Sequence, residues 1–167
     1  MRKISIFYLF LFLFLFFLLT NITYSDSLWN TKELDPYENG NVITAIKLIK
    51  SKGRNVIINN AVTKDAYYVT QAPWDYYGKI CKFSGRVTYC QNFPPSSEFS
   101  KALGGNACEI NIFVDDTNVT GLIFGSGKTI HRDDWITLYG YPCGVTEGQN
   151  AYGGSVTSLY IVGVKNR

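Results

Sequence analysis

KICKFSGRVTYC, residues 79–90, is the stretch on which the reading of this chain turns. Apolar Cys81, Phe83 and Val87 alternate with Lys82, Ser84 and Arg86. A period of two marks a strand with one face toward a core and the other toward solvent. Gly85 sits in the middle, where a missing Cβ permits the close approach or bulge that a sharply bent strand needs. Cys90 falls on the phase of Arg86, opposite to Cys81, and a bulge at Gly85 would reconcile the two.

Downstream, apolar alternation and turn residues predict four more strands, over residues 107–115, 118–125, 135–141 and 155–164. Ile110, Ile112 and Val114 share one face of the second, with Glu109, Asn111 and Phe113 on the other. Asp115-Asp116-Thr117-Asn118 reads as a tight hairpin link, and residues 92–106, with Pro94-Pro95 and Gly104-Gly105, as a long loop. Five strands, a long bent first one and a short segment between the third and fourth describe a mainly β domain. The expected fold is a five-stranded Greek-key barrel of the oligonucleotide/oligosaccharide-binding (OB) type over residues 73–167.

Upstream, Val42, Ala45, Ile46 and Ile49 recur at helical spacing, with Asn41 as a candidate cap and Gly53 as a stop. The lysines at 47, 50 and 52 take the other side. The helix is short and has no Trp or Phe to anchor it in a membrane, so docking on the domain is expected. Residues 56–58 read as a short extended piece. Asn59 or Asn60 then caps a second helix over 61–69, stopped by Pro73. Together these make a helical segment over residues 41–72, joined by a polar tether over 26–40 to a leader over 1–25.

The leader has Arg2 and Lys3 ahead of a stretch from Ile4 to Leu19 interrupted only by Ser5, then Thr23 and Ser25 at the −3 and −1 positions of a cleavage site. That is the layout of a signal peptide. Retained through residues 4–24, it would serve as a membrane anchor, and the domain is exported in either case. Contact with a membrane is expected only through this N-terminal segment. The chain of 167 residues carries 16 Lys+Arg against 13 Asp+Glu. Arg2 and Lys3 are two of those positives, so the remainder is nearly neutral. Residues 74–164 hold six basic and eight acidic side chains, a poor balance for tracking a phosphate backbone.

Tyr76-Tyr77-Gly78-Lys79 followed by Phe83-Ser84-Gly85-Arg86-Val87 resembles the opening of OB domains in the tRNA-anti-like superfamily. Residues 134–142, Asp-Trp-Ile-Thr-Leu-Tyr-Gly-Tyr-Pro, with Gly153-Gly154 beyond, look like the fourth and fifth strands of exported OB domains from Gram-positive bacteria. The resemblance spans about residues 72–164. Its motifs are structural glycines and core positions, so it implies a fold and carries no catalytic residue with it.

Cys81, Cys90, Cys108 and Cys143 are an even count in an exported chain, which favours disulfides. No Cys-x2-Cys pair supports zinc. In an OB barrel the first strand lies between the second and fourth, which gives Cys90–Cys108 and Cys81–Cys143 as the expected bridges.

Catalytic constellations are incomplete. Gly125-Ser126-Gly127-Lys128-Thr129 resembles the end of a phosphate-binding loop, but Leu122 stands where its first glycine belongs. Asp115-Asp116 lacks the general base and phosphate-gripping Arg of the calcium-dependent nucleases built on this barrel. His131 has no nucleophile motif beside it. The expectation is a non-enzyme without metal or other cofactor. The candidate ligand surface is the outer face of the first three strands, with Lys82, Arg86, Asn111 and Phe113, unless the N-terminal helices cover it. The expected function is an exported or tethered interaction module for a protein or glycan. The alternative is an extracytoplasmic nucleic-acid- or oligosaccharide-binding OB protein, because cations beside an aromatic suit single strands or sugars.

Overall fold

A computed structural model describes residues 28–149 and 153–166. The leader expected over residues 1–25 lies outside the described residues. Among those described, no helix is long and apolar enough to cross a membrane.

The chain runs through α1 (Asn41–Lys52), α2 (Arg54–Asn59), β1 (Val62–Thr63), α3 (Ala66–Gln71) and a 3-10 turn (Pro73–Tyr76). It continues with β2 (Cys81–Asn92), α4 (Glu98–Leu103), β3 (Ala107–Val114), β4 (Thr117–Phe124), β5 (Trp135–Gln149) and β6 (Ser155–Asn166). With 42% strand the protein is mainly β. The six strands form one mixed sheet in the order β1-β2-β3-β4-β6-β5, and β2 also pairs with β5, so the sheet closes in a ring. Within the ring every pairing is antiparallel except β4 with β6.

β2 makes the closure. Its first half, through Arg86, pairs with β5, and its second half, from Arg86, pairs with β3. One strand can serve two neighbours in this way only if it bends. Gly85 sits at the changeover, where a Cβ would overlap the Phe113 carbonyl oxygen. The bulge is not at Gly85. Thr88 is the extra residue, between the pairs Val87–Ile112 and Tyr89–Asn111, and it turns Cys90 inward. Two residues then oppose one and the strand's alternation resets.

The ring encloses Phe83, Val87, Ile110, Ile112, Ile123, Leu138 and Ile161, with Ala66 and Val69 of α3 packed against them. A second cluster lies outside the ring, where Val42, Ala45, Ile46 and Ile49 of α1 and Ile57 of α2 cover Leu122, Tyr141, Tyr160 and Val162. The helices therefore cover the outer face of β4, β5 and β6 around those four residues and leave the ends of these strands at Asn118, Trp135, Glu147 and Ser158 uncovered. Arg86, Asn111 and Phe113, on the outer face of β2 and β3, are not buried.

Several local expectations are corrected. The residue capping α1 is Gly40, with φ 77°, and Asn41 is the first residue inside the helix. Its buried amide donates to the carbonyl oxygens of Asn30 (3.0 Å) and Cys143 (3.3 Å), so it joins the N-terminal strap to β5. Residues 56–58 are helical, because Gly53 turns the chain at φ 80° and α2 buries Ile57. The next helix starts at Ala66, where the Asp65 carboxylate accepts from the amides of Tyr67 and Tyr68. Val62 and Thr63 first pair in parallel with Cys81 and Lys82. The loop at 92–106 contains α4, capped by Ser97 and ended by left-handed Gly104. β5 continues past residue 141 to Gln149 because β6 pairs with it along that whole length. The β3–β4 link is a two-residue hairpin with Asp115 and Asp116 both left-handed (φ 42° and 64°), the pattern whose twist matches the flanking strands.

Candidate functional site

The uncovered outer face carries two adjacent rows of side chains. In the first, register partners run Trp135–Arg86–Phe113–Asn118–Ser158 across β5, β2, β3, β4 and β6. Trp135 is 70% exposed. Arg86 Nη1 lies 2.7 Å from Asp133 Oδ1, and both side chains are solvent-exposed. Asp133 reaches it from a left-handed turn (φ 72°) held by its own amide donating to the Val87 carbonyl.

The second row is a chain of hydrogen bonds across four strands. The bulge leaves Thr88 without a register partner, and its hydroxyl donates to Asn111 Oδ1 at 2.6 Å. Asn111 Nδ2 donates to Thr120 Oγ1 at 2.9 Å. Thr120 and Ser158 share a hydroxyl contact of 2.7 Å. Thr120 Oγ1 thus accepts from Asn111, and either hydroxyl of the Thr120–Ser158 pair can supply the proton between them. The hydrogen-bonded row and Asn118 border a cavity of about 420 Å3, flanked on its far side by Thr146, Glu147 and Gln149 of β5.

The surroundings are uncharged or acidic. Glu109, two residues before Asn111, is half-buried. Burial pushes its carboxyl above the usual range, while the Tyr160 hydroxyl, donating at 3.4 Å, partly offsets this. Tyr160 packs against Tyr37 with the rings tilted and their centroids 5.3 Å apart, and desolvation raises the hydroxyl pKa of both.

Of the four residues expected on this surface, three come together: Arg86 and Phe113 as direct partners and Asn111 one step along. Lys82 faces the same way on β2 but sits opposite Tyr139 of β5 and beside Thr63, away from the cavity. Thr88, Asn118, Thr120, Trp135, Glu147 and Ser158 were not anticipated as site residues. Thr88 depends on the bulge, and Thr120 and Ser158 on the parallel β4–β6 pairing, neither of which has a local sequence signal.

The cysteines depart from expectation, for all four are free thiols. Cys90 and Cys108 adjoin one another beneath Gly127. Cys81 points into the ring and Cys143 into the outer cluster, so the sheet itself separates that pair. Burial raises every thiol: Cys81 to about 11, Cys108 to about 12, and Cys90 and Cys143 also upward. A thiol held protonated is a weak nucleophile.

The other motifs resolve into turns. Gly127 N–H donates to Asn92 Oδ1 at 2.8 Å, which commits a loop amide to the protein itself. His131 is exposed, with Nδ1 3.8 Å from Asp134 Oδ2. Among the described residues, no group of three or more His, Cys, Asp or Glu is placed to hold a metal ion.

Compared with known proteins, the chain matches no family model and no curated sequence.

Proposed function

We propose that this protein is an exported or membrane-tethered binding module on an OB-type barrel, without catalytic activity, and that the outer face of β2 and β3 is its ligand surface. Numbering the ring strands β2 to β6 from one to five, their order is 1-2-3-5-4 with the third and fifth parallel. That connectivity supports the OB assignment. The observation that carries the binding reading is the uncovered polar row. Helices cover the outer cluster around Leu122, Tyr141, Tyr160 and Val162, while a cross-strand chain of hydroxyl and amide groups, half-buried at Thr88 and Asn111 and buried at Thr120 and Ser158, lines an uncovered cavity on the same side of the ring as exposed Trp135. A concavity on which a few oriented polar groups converge is where ligands are bound and aligned.

Site-specific photo-crosslinkers in the native host test this reading. Placed at Phe113 or Asn118 they capture an envelope component, while one at exposed Ile43 on α1 does not. Capture at Ile43 with none at Phe113 or Asn118 overturns it. Localisation is tested separately by protease access to intact cells.

A second reading, an extracytoplasmic nucleic-acid binder, rests on Arg86 lying directly opposite Phe113, a cation beside a stacking ring. It requires oligonucleotide affinity that falls steeply with added salt.

A further inference from the structure

Resting on the reading that this face binds ligand, we infer that its occupant is an uncharged, polyhydroxylated polymer, that is, a stretch of neutral glycan. Charge argues first. Arg86, the cation in the two rows, is already bridged to Asp133 at 2.7 Å, and the cavity's far wall carries the Glu147 carboxylate. A phosphate or sulfate entering here would face that carboxylate with no free cation in the rows, and like charges at short range cost several kcal/mol.

Hydrogen-bonding capacity argues second. The Thr88–Asn111–Thr120–Ser158 chain fixes the orientation of the Asn111 amide and lines the cavity with groups that can both donate and accept. Among the described residues, the Asn118 side-chain amide has no hydrogen-bond partner, and it stands beside Ser158 in the register. Groups that both donate and accept, held in fixed directions, match sugar hydroxyls, which also do both. Such groups discriminate poorly in favour of an anion, which only accepts.

Shape argues third. The row from Trp135 to Ser158 crosses four interstrand gaps, roughly 19 Å at the ordinary strand spacing, so several sugar rings can lie across the strands. The rings of Trp135 and Phe113 flank Arg86 in that row and offer the flat apolar faces on which a pyranose ring packs. A peptide added as a strand would need an open backbone edge, and the closed ring directs side chains, not backbone groups, at this surface.

The test uses the full chain in a zwitterionic detergent that carries no sugar headgroup. Chitohexaose, cellohexaose and maltohexaose are titrated by calorimetry against wild type, Trp135→Ala, Asn118→Ala and the distant control Trp74→Ala. Trp135 is largely exposed and Asn118 has no side-chain partner, so neither substitution should disturb folding. The expected result is saturable binding of at least one hexasaccharide, indifferent to salt and unchanged in Trp74→Ala. Trp135→Ala and Asn118→Ala should each weaken it about tenfold, the loss of roughly one good contact. Salt-sensitive binding of an oligothymidylate that the same two substitutions abolish overturns the glycan assignment and keeps the surface. Binding by neither class, or binding that both substitutions leave intact, overturns the surface as well.

Discussion

Replacing Gly85 by Ala tests the closure of the ring directly. The φ of Gly85 is not in the left-handed region, so alanine can adopt the backbone. At such a site Gly→Ala ordinarily stabilises by about 0.4–1 kcal/mol, through the entropy of the unfolded chain. Here the added Cβ overlaps the Phe113 carbonyl oxygen and stands 2.8 Å from Val114 Cγ2. Carbon atoms are comfortable at about 3.5 Å or more, so the methyl arrives roughly 0.7 Å too close to that atom alone. The neighbours that must yield are backbone of β3 and a β-branched side chain, neither of which swings away. Overpacking of this kind costs about 1–3 kcal/mol, which outweighs the entropic gain and leaves a net loss of about 1 kcal/mol. Gly148→Ala is the internal control. Its Cβ meets nothing within 4 Å, its φ is also unexceptional, and it should gain about 0.4–1 kcal/mol. The assay is urea unfolding of the full chain followed by tryptophan fluorescence, with stability taken from the midpoint at unchanged slope. The same chemical change should move the two midpoints in opposite directions. If Gly85→Ala rises with Gly148→Ala, β2 and β3 do not approach as described and the account of closure fails.

Thr120→Val keeps shape but removes the hydroxyl linking Asn111 to Ser158, and should cost about 1–2 kcal/mol in the same assay. Ser158→Ala should cost less in that background than in wild type, and strictly additive losses would refute the row. Asp116→Gly should stabilise by up to about 1 kcal/mol, since glycine adopts φ 64° without the strain an aspartate carries there. A loss would mean that the hairpin is not left-handed. In the native state the Cys81 and Cys108 thiols titrate at about 11 and 12, above their ordinary 9.0. The fold therefore keeps protons that the unfolded chain releases above pH 9. Their contribution is whole below that point and falls as pH rises toward 11–12, with a limiting slope of about 1.4 kcal/mol per pH unit for each thiol. Midpoints measured from neutral to alkaline pH should fall accordingly, and less steeply in Cys81→Ala/Cys108→Ala; identical profiles would contradict the buried-thiol account.

Much of the fold is legible in short-range chemistry. The period of two in residues 79–90 and in the four later segments places every ring strand, because alternation is local and each strand hides only one face. The helical spacing of Val42, Ala45, Ile46 and Ile49 places α1 for the same reason. Arg86 and Phe113 are each legible as outward-facing from their own strands. What no strand carries alone is its offset against its neighbours. The bulge at Thr88 rather than Gly85 re-phases Cys90, and Cys81 lies inside the ring while Cys143 lies outside it, so strand order alone suggested a bridge that the sheet forbids. The Thr88–Asn111–Thr120–Ser158 row is likewise assembled from four strands spread over 71 positions of the chain. Its parts are ordinary polar residues, and only the closed ring, by fixing strand order and register together, brings their hydroxyl and amide groups within 3 Å of one another.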